Sequence, residues 1–543
     1  MSKRKCPPWQ SAPSLKRARE IDDESPYEVL GEALSTNVQP DKTRNVLHWF
    51  RSKDIRLEDN RALHAASTKA EEGDSALITL YVHSPADLDW HGTSPARTDL
   101  ILRTLEQMQS GLKRLNIPLY IHETKSRDDL VPDVLKFIKD HDISHVYANF
   151  EYEIDELRRD IRIAKGLKEE KVSFEIVHDQ SAINPGTLTT GNGGPHKVFT
   201  PYHKVWLAEM SKNGKSILDL LPLPSANADA HVGELEDAGL FKTQIPKQPE
   251  SKDFKSDEER DRIRGLWPAG HEAAKERLID FLDNKVNLYG DTRSNPGKDS
   301  TSRMSAYFSS GTISIREALA HCRDRNKGSC DFSGSKGRGM SAWVREIVFR
   351  EYYRQLIFVV PHNSLNLPQN LKMFTVKWED NEEAEENWKK WCEGTTGFPL
   401  VDAGMRQLNT EAWMHNRARM NTASVLRTNM LVDYRRGERY FAEHLVDYDL
   451  SNNFQGWQPS FTVFNPTTQG ENNDVDGDYI RKWVPELKHI KGKAVFAPYE
   501  RLDPQAFKKT GYPKPCVDWK QSKARCMDAY KQATIDGGEA LRD

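Results

Sequence analysis

Long hydrophobic segments are missing from this sequence of 543 residues. No run approaches the roughly 18 consecutive apolar residues that a membrane-spanning helix needs, and the N-terminus is too polar for a secretory signal peptide. Cysteine is scarce: the six cysteines form no C-x-x-C pair and have no histidine at ligand spacing, so neither a disulfide framework nor a zinc site is indicated. We therefore expect an intracellular protein with reduced thiols, no membrane partner and no metal site.

A large excess of charge of one sign is also lacking. Lys and Arg number 78 and Asp and Glu number 81, which gives a formal net charge of −3. This balance argues against a protein that coats nucleic acid nonspecifically, so any DNA site must be a local basic patch. The composition, 37% hydrophobic and 29% charged, is that of an ordinary globular protein. The length allows two domains, and we expect a monomer.

Residues 1–43 combine Pro, Ser, Lys and Arg with little hydrophobic periodicity, which predicts a disordered basic tail. Within it, Lys3-Arg4-Lys5 and Lys16-Arg17-Ala18-Arg19 are separated by ten residues, the pattern of a two-part nuclear localisation signal. A solvated basic tail is the alternative interpretation. A mitochondrial presequence fits less well because acidic residues follow closely at 22–24. The prediction is a nuclear protein, with an additional mitochondrial pool as the second option.

From residue 45 onward, short apolar runs alternate with amphipathic segments of helical length. The runs predict strands at 46–50, 76–82, 118–122, 145–150 and 174–178. This alternation predicts an α/β domain with a doubly wound parallel sheet over residues 44–180.

The rest of the chain has a different pattern. Residues 181–265 are richer in Pro, Gly, Asn and Asp, and we expect an extended interdomain connector there. Beyond it, apolar residues recur at helical spacing, as at Leu278, Phe281 and Leu282. An all-helical domain is predicted over 266–532, followed by a C-terminal tail over 533–543. The fold class is thus α/β plus all-α.

Three hydroxyl side chains and an arginine are concentrated in Ser300-Thr301-Ser302-Arg303-Met304-Ser305, just before a helical pattern. Such a composition suits the binding of an anion at a helix N-terminus. The same residues also make good helix N-caps, so the pattern alone leaves both interpretations open.

Several longer motifs occur in a fixed order along the chain. In the first half they are His48-Trp49-Phe50-Arg51-Ser52-Lys53-Asp54-Ile55-Arg56 and Ser94-Pro95-Ala96-Arg97. In the second half they are Leu266-Trp267-Pro268-Ala269-Gly270, Thr396-Gly397-Phe398-Pro399-Leu400, Trp413-Met414-His415-Asn416-Arg417-Ala418-Arg419-Met420, Asp447-Tyr448-Asp449-Leu450-Ser451-Asn452-Asn453, Phe464-Asn465-Pro466-Thr467-Thr468-Gln469-Gly470 and Tyr512-Pro513-Lys514-Pro515. On these motifs the chain from about residue 45 to 532 resembles the photolyase/cryptochrome family, and within it the fungal-type class I cyclobutane pyrimidine dimer photolyases.

The resemblance implies a U-shaped FAD held by the helical domain. The positions that match flavin contacts are Tyr289, Thr301, Ser302, Arg303, Met304, Ser305, Trp343, Glu346, Arg350, Asn416, Arg419, Asp447, Asp449 and Asn453. Arg419 and Asp447 would form an ion pair near the isoalloxazine ring, and Asn453 would face its N5 atom. In the implied reaction, blue light excites the reduced flavin, which donates an electron to a flipped pyrimidine dimer in damaged DNA.

The same resemblance assigns lesion and DNA contacts to Glu346, Phe349, Asn416, Arg417 and Met420. Two of the expected cavity walls differ here. The family has a tryptophan where this chain has Phe349, which offers a smaller aromatic face. A second tryptophan should follow Trp457, but the loop from 458 to 463 is short and lacks it. A true deletion and a mispredicted splice junction are both open explanations.

Flavin photoreduction in the family passes an electron through three tryptophans. Trp457 and Trp378 occupy the inner and outer positions, whereas the middle position is Tyr434. Tyrosine is harder to oxidise than tryptophan unless its proton can leave, so we expect slow or altered photoreduction. In the first domain, Asp155 and Glu156 match positions that hold a folate pterin, which suggests methenyltetrahydrofolate as the antenna, with a deazaflavin as the alternative.

Two functions follow from these residues. One is a light-dependent DNA repair lyase, favoured by the retained Glu346, Asn416 and Met420. The other is a cryptochrome-like photoreceptor that binds flavin but does not repair DNA, favoured by Phe349 and the short loop. A six-four photolyase fits less well, because His415-Asn416-Arg417 stands where that subtype has a different His-containing pattern.

Overall fold

Five parallel strands form a single sheet at the start of the chain. A computed structural model describes residues 14–334 and 338–542. The strands are β1 (Asn45–Phe50), β2 (Leu77–His83), β3 (Leu119–Glu123), β4 (Ile143–Asn149) and β5 (Ser173–Val177), in the order β3-β2-β1-β4-β5. All four pairings are parallel. The predicted doubly wound parallel sheet is confirmed, and each predicted strand overlaps an observed one.

Helices flank this sheet, and the strands bury both faces. The helices of this half are α1 (Leu15–Asp23), α2 (Pro26–Ser35), α3 (Arg61–Glu72), α4 (Pro85–His91), α5 (Pro95–Lys113), α6 (Leu130–Asp140) and α7 (Ile154–Glu169). Alternate residues of β1 enter opposite cores: Leu47 packs with α6 and α7 residues, and Val46 with α3 and α5 residues. Near-continuous apolar strands are what a parallel sheet covered on both sides requires.

The second half of the chain is helical. Its helices are α8 (Phe199–Ile217), α9 (Asp229–Asp237), α10 (Asp257–Leu266), α11 (His271–Asp280), α12 (Val286–Thr292), α13 (Ser305–Ser310), α14 (Ile315–Arg325), α15 (Arg338–Val359), α16 (Glu382–Glu393), α17 (Pro399–Glu411), α18 (Asn416–Ser424), α19 (Tyr434–His444), α20 (Leu450–Trp457), α21 (Pro466–Asn473), α22 (Asp478–Trp483), α23 (Pro498–Arg501), α24 (Pro504–Thr510) and α25 (Trp519–Ala540). Short 3₁₀ turns lie at Glu250–Lys252, Pro361–Leu365, Leu371–Thr375, Pro485–Leu487 and Gly492–Phe496. Two π-helical turns, Phe281–Lys285 and Val425–Asn429, extend α11 and α18. Among the residues described, no helix is both long enough and apolar enough to cross a membrane.

The prediction of disorder for residues 1–43 is wrong from α1 onward. Ser14 caps α1, its hydroxyl accepting a hydrogen bond from the Arg17 amide at 3.1 Å. Ala18 and Ile21 are buried, and Asp22 pairs with His362 at 2.6 Å. The few apolar residues of this basic segment are enough to hold α1 in place, because they pack against the folded turn at Pro361–Leu365. The first half of the predicted localisation signal, Lys3-Arg4-Lys5, lies outside the described residues.

Two further boundaries require correction. The predicted connector, 181–265, contains α8 and α9 and most of α10. Tyr202, Trp206 and Met210 on α8 are buried in the core that also holds α11 and α15, so this part belongs to the helical domain. At the other end, α25 continues through residue 532 to Ala540, so most of the predicted C-terminal tail is helix.

A buried ion network joins the two halves. Arg316 of α14 donates from Nη2 to the Asp59 carbonyl at 2.8 Å and to Asp179 Oδ1 at 2.9 Å. Arg56 pairs with the other oxygen of Asp179. Asp59 and Asp179 lie in loops that follow β1 and β5, and every member side chain is at most 2% exposed. This network fixes how the strand ends sit against the helical domain.

Candidate functional site

The hydroxyl and arginine cluster folds into a turn that precedes α13. Ser302 Oγ accepts a hydrogen bond from Trp343 Nε1 at 3.1 Å, and Ser305 Oγ accepts one from Trp413 Nε1 at 3.3 Å. Arg303 adopts a positive φ of 51°, which is uncommon for a residue other than glycine. Its guanidinium lies over the Trp413 ring at 4.7 Å. The turn therefore holds Ser302, Arg303 and Ser305 beside two indole rings.

Two polar atoms of this cluster make no hydrogen bond within the described residues, although Arg303 Nε lies 3.6 Å from Asp299 Oδ1. Ser300 Oγ and Arg303 Nε are buried and make no hydrogen bond within the described residues. Arg303 Nη1 is engaged by Glu411 Oε2 at 3.2 Å. A buried polar atom that makes no hydrogen bond costs folding free energy. We therefore expect a ligand to form hydrogen bonds with these two atoms.

The residues assigned to the flavin ring form the predicted ion pair. Arg419 Nη2 lies 2.7 Å from Asp447 Oδ2, and the Asp447 side chain is 2% exposed. The other carboxylate oxygen, Asp447 Oδ1, is buried and has no partner in the described part of the chain. The pair thus leaves one acceptor available beside a fixed positive charge.

Asn453 is held by an acid that the sequence analysis missed. Its Nδ2 donates to Glu438 Oε1 at 2.9 Å and to the Glu438 carbonyl at 3.2 Å. Tyr448 donates to the same carboxyl oxygen at 3.2 Å. Burial raises the pKa of Glu438. Because Glu438 takes the Asn453 amide hydrogen, the Asn453 side-chain oxygen is oriented away from Glu438, and it is the group left to face a ligand.

Asp449 and Arg350 belong to a second buried charge cluster. Asp449 caps α20 through Ser451 and pairs with Arg354 at 2.8 Å. Burial raises the pKa of Asp449, but Arg354 and Arg350 outweigh that effect and lower it well below the ordinary value. Burial, with Arg354 nearby, lowers the pKa of Arg350 to about 9. Arg354 lies one helical turn after Arg350, which is the spacing that could have identified it from sequence.

Trp343, Glu346 and Arg350 all lie on α15, as their spacing predicted. Glu346 pairs with Arg293. Burial raises the pKa of Glu346, although Arg293 opposes this. Tyr289, on α12, is buried, and its ring contacts Phe281 at 5.5 Å between centroids. Arg293 carries no sequence signal of its own, because it lies in an irregular segment after α12.

The positions assigned to the lesion lie on α15 and α18. Phe349 is half-buried and stacks on Phe199 of α8, with ring centroids 3.4 Å apart and planes 6° from parallel. On α18, Arg417 donates to Ser294 Oγ at 2.9 Å. Asn416 is exposed, and Met420 is half-buried. Sequence analysis missed Phe199, because a connector helix was not expected there.

The residues assigned to electron transfer lie together, though not in one line of ring contacts. Trp378 and Tyr434 have ring centroids 5.8 Å apart. Trp457 is buried and contacts the rings of Trp391 and Phe441. In the part of the chain that the structure describes, no ring contact joins Tyr434 to Trp457.

A cavity of about 660 Å³ opens at the carboxyl edge of the sheet. It is lined by residues that follow β1, β2 and β4 and by helical-domain residues, including Asp449. The strand order reverses direction between β1 and β4, and ligands of doubly wound folds bind at such switch points. Asp155 and Glu156 both line this cavity.

Asp155 and Glu156 differ in the direction of their pKa shifts. Burial raises the pKa of Asp155, but its hydrogen bond with Arg127, at 2.9 Å, and the nearby His91 lower it overall. Burial, with Glu153 beside it, raises the pKa of Glu156 to about 8. Glu156 Oε2 is buried without a hydrogen-bond partner in the described chain. At neutral pH, Glu156 can therefore act as a neutral hydrogen-bond donor.

The site as a whole fits FAD. Hydroxyls and an arginine with unused polar atoms suit the diphosphate and ribityl chain, and the free oxygen of Asp447 suits the ring. When bound there, FAD would supply one-electron redox chemistry. Among the described residues, no group of three or more His, Cys, Asp or Glu side chains is placed to hold a metal ion.

Comparison with known proteins agrees with this geometry. Residues 343–532 match the family described as FAD binding domain of DNA photolyase, and residues 46–225 match DNA photolyase. A Neurospora crassa protein named deoxyribodipyrimidine photo-lyase is 38% identical over 549 residues, covering 96% of this chain and 88% of the relative. An Escherichia coli protein of the same name is 33% identical and covers 90% of this chain and 98% of the relative.

Solved structures give the same result. A bacterial class III photolyase from Agrobacterium tumefaciens has a TM-score of 0.76 at 29% identity, covering 92% of this chain and 99% of that one. A Synechocystis cryptochrome has a TM-score of 0.71 at 22% identity, covering 90% of this chain and 100% of that one, which shows the shared fold alone. With a photo-lyase relative above 30% identity over nearly its whole length, this chain belongs to the DNA photolyase family and carries that family's FAD-binding domain in its helical half.

Proposed function

We propose that this chain repairs cyclobutane pyrimidine dimers in DNA by a reaction that depends on blue light and on FAD. The observation that carries the proposal is the Arg419–Asp447 pair, whose second carboxylate oxygen makes no hydrogen bond within the described residues. Ser300 Oγ and Arg303 Nε likewise make no hydrogen bond there. These groups form a flavin site, and α15 carries both flavin-assigned and lesion-assigned residues. The relatives named deoxyribodipyrimidine photo-lyase support the same substrate.

Each part of the chain has a defined task in this reaction. FAD held by these residues would supply one electron to the dimer and would take it back after the dimer has split. Glu346, on α15, hydrogen-bonds to the flipped dimer. Phe349 offers a ring face to a flipped base, and Arg417 reaches toward a DNA phosphate. The protein thus holds a flipped dimer close to the flavin and excludes water around it.

Repair of an oligonucleotide that carries one thymine dimer tests the proposal. The purified chain is given chemically reduced FAD, so that photoreduction cannot limit the result, and dimer loss under blue light is compared with a dark sample. Light-dependent repair supports the lyase. Flavin binding without any repair supports a second candidate, a cryptochrome-like photoreceptor, which Phe349 and the short loop after Trp457 favour.

Three finer assignments belong to the same proposal. Damaged DNA is the partner, and the chain acts as a monomer. Glu156 and Asp155 hold a methenyltetrahydrofolate antenna in the 660 Å³ cavity. Near-ultraviolet absorbance of the purified protein that disappears on folate depletion would support this assignment. The location is nuclear, with a mitochondrial pool as the alternative. A Saccharomyces cerevisiae relative, 32% identical over 524 residues and covering 90% of this chain, carries the word mitochondrial in its name.

The location can be tested without disturbing α1. Replacing Lys3, Arg4 and Lys5 by alanine leaves the folded helix intact, because these residues precede it. Loss of nuclear accumulation of a fluorescent fusion would support the two-part signal. Unchanged accumulation would refute a role for that cluster.

A further inference from the structure

The Trp457 ring contacts Trp391, which in turn contacts Trp388. These two tryptophans lie on α16, away from Tyr434. Its ring centroid lies 6.0 Å from that of Trp391, and the Trp391 centroid lies 5.3 Å from that of Trp388. Trp391 and Trp388 are stacked, with planes 18° apart. Trp457 and Trp391 are fully buried, whereas Trp388 is partly exposed on α16. An unbroken series of indole rings thus runs from the inner position to the surface.

The route through Tyr434 is chemically obstructed. The Tyr434 hydroxyl donates to the Asn366 backbone carbonyl at 2.9 Å, and a carbonyl cannot accept the proton that a tyrosine must lose on oxidation. Burial raises the pKa of Tyr434 far above its ordinary value, so the phenol keeps its proton. Tyr434 also has no ring contact with Trp457 within the described residues.

From this contrast we propose that the electron that reduces the flavin travels through Trp388, Trp391 and Trp457, bypassing Tyr434 and Trp378. The proposal rests on the proposed light-driven flavin chemistry, and it makes Trp391 and Trp388 electron-transfer residues. One-electron hops become much slower with distance and are fast between rings in van der Waals contact. Both hops in this series are of that kind.

Water takes up the proton, and a small-molecule thiol in solution closes the electron balance. Trp457 gives one electron to the photoexcited flavin and recovers it from Trp391, which recovers it from Trp388. Trp391 cannot release its indole proton, because Nε1 donates to the Thr422 carbonyl at 3.0 Å, so oxidation passes on. Trp388 reaches solvent and can lose its Nε1 proton to water. A small-molecule thiol in solution then returns one electron and the proton to Trp388.

One feature beside Trp388 opposes its oxidation. The Arg436 guanidinium lies over the Trp388 ring at 4.4 Å, and a positive charge disfavours a ring cation. Glu385 pairs with Arg436 at 2.9 Å, so most of this charge is neutralised locally. The proton lost to water removes the remaining charge from the ring.

The test measures flavin photoreduction in the purified full-length chain containing oxidised FAD, with dithiothreitol as the thiol. Loss of the flavin's blue absorbance under steady light gives the rate, and transient absorbance identifies the tryptophan radical. Trp391→Phe and Trp388→Phe should each slow reduction by at least about tenfold. The matched variants of the other route, Trp378→Phe and Tyr434→Phe, should change the rate by less than about twofold.

A rescue variant guards against simple misfolding. Trp391→Phe combined with Tyr434→Trp rebuilds a tryptophan at the middle position of the other route, and it should recover most of the lost rate. If Trp391→Phe and Trp388→Phe reduce flavin at the native rate, or if Trp378→Phe slows reduction as much as they do, the proposal is overturned. Dimer repair with chemically reduced flavin is measured in parallel, so absence of repair would refute the proposed function while leaving this route intact.

Discussion

Arg316 links the two halves of the chain through buried contacts with Asp59 and Asp179. We expect Arg316→Met to lower the free energy of unfolding by about 3–5 kcal/mol, the range for breaking a buried ion pair while leaving its partner charged. Asp59 would lose the guanidinium at 2.9 Å, and Asp179 would keep Arg56 and the Arg61 amide at 3.4 Å. Ser314 still donates to Asp59 at 2.5 Å, which favours the lower end of this range.

A matched control lies on the same helix. Arg325, near the end of α14, pairs with Asp283 at 2.7 Å, but the two side chains are 27% and 51% exposed. Exposed pairs contribute about 0–1 kcal/mol, so Arg325→Met should be close to neutral. Urea unfolding followed by tryptophan fluorescence compares the two variants with the native chain. Equal stability of the two variants would refute the argument that burial makes the Arg316 network costly to break.

The pH dependence provides a second check on the same network. Burial raises the pKa of Asp179, but Arg56 and Arg316 outweigh it and hold the pKa below the ordinary value of 3.8. A lowered carboxyl pKa stabilises the fold above pH 3.8, and this contribution is lost as the pH falls through the native pKa. The difference between Arg316→Met and the native chain should therefore be full at pH 7 and shrink in acid. A difference that is independent of pH would contradict this assignment.

Three further outcomes follow from the site. Arg417→Ala should weaken binding of dimer-containing DNA and reduce the slope of log affinity against log salt by about 1, and an unchanged slope would exclude a phosphate contact. Phe349→Ala should lower affinity for dimer-containing DNA by about 1–3 kcal/mol, with undamaged DNA as the unaffected control. Glu156→Gln should be near neutral at pH 5 but stabilising by on the order of 2 kcal/mol at pH 9, because a pKa raised to about 8 makes burial increasingly costly between pH 4.5 and pH 8. If the stability difference between Glu156→Gln and the native chain is the same at pH 5 and pH 9, this prediction is wrong.

The sheet could be predicted because its strands carry their own signal. The central strands β1 and β2 are short, nearly continuous apolar runs, and amphipathic helices lie between the strands, which together permit few arrangements other than a parallel sheet. The helix α15 could also be predicted from the sequence, because the spacing of Trp343, Glu346 and Arg350 places them on one helical face. Local sequence is sufficient where an element's own pattern determines what it buries.

The missed elements depend on tertiary contacts instead. Only Ala18 and Ile21 of α1 are buried. The turn against which α1 packs lies some 340 residues later in the chain and contains His362, which pairs with Asp22. Glu438 and Trp391 were missed for a similar reason. Each acts through a neighbour that is close in space, Asn453 and Trp457 respectively, and no sequence spacing relates the members of either pair.

The short loop after Trp457 is integrated into the fold. Gln458 Oε1 accepts a hydrogen bond from the Gln369 amide at 2.7 Å, and the Phe464 amide donates to Ser424 Oγ at 3.1 Å. Arg427 donates to the Ser460 carbonyl at 3.4 Å. This connection is anchored along its length, and it joins α20 to α21 in a continuous path.

This shortening concerns lesion binding and not electron donation by the flavin. In the proposed reaction the short loop and Phe349 offer less aromatic surface to a flipped dimer, so we expect weaker lesion binding. They leave the Arg419–Asp447 pair and the Asn453–Glu438 contact, which surround the proposed electron donor, unaltered. Tyr434 lies on α19, and chemically reduced flavin does not require it. A chain built this way should bind dimers weakly yet split those it binds at an ordinary rate, so repair should rise steadily with substrate concentration instead of being absent.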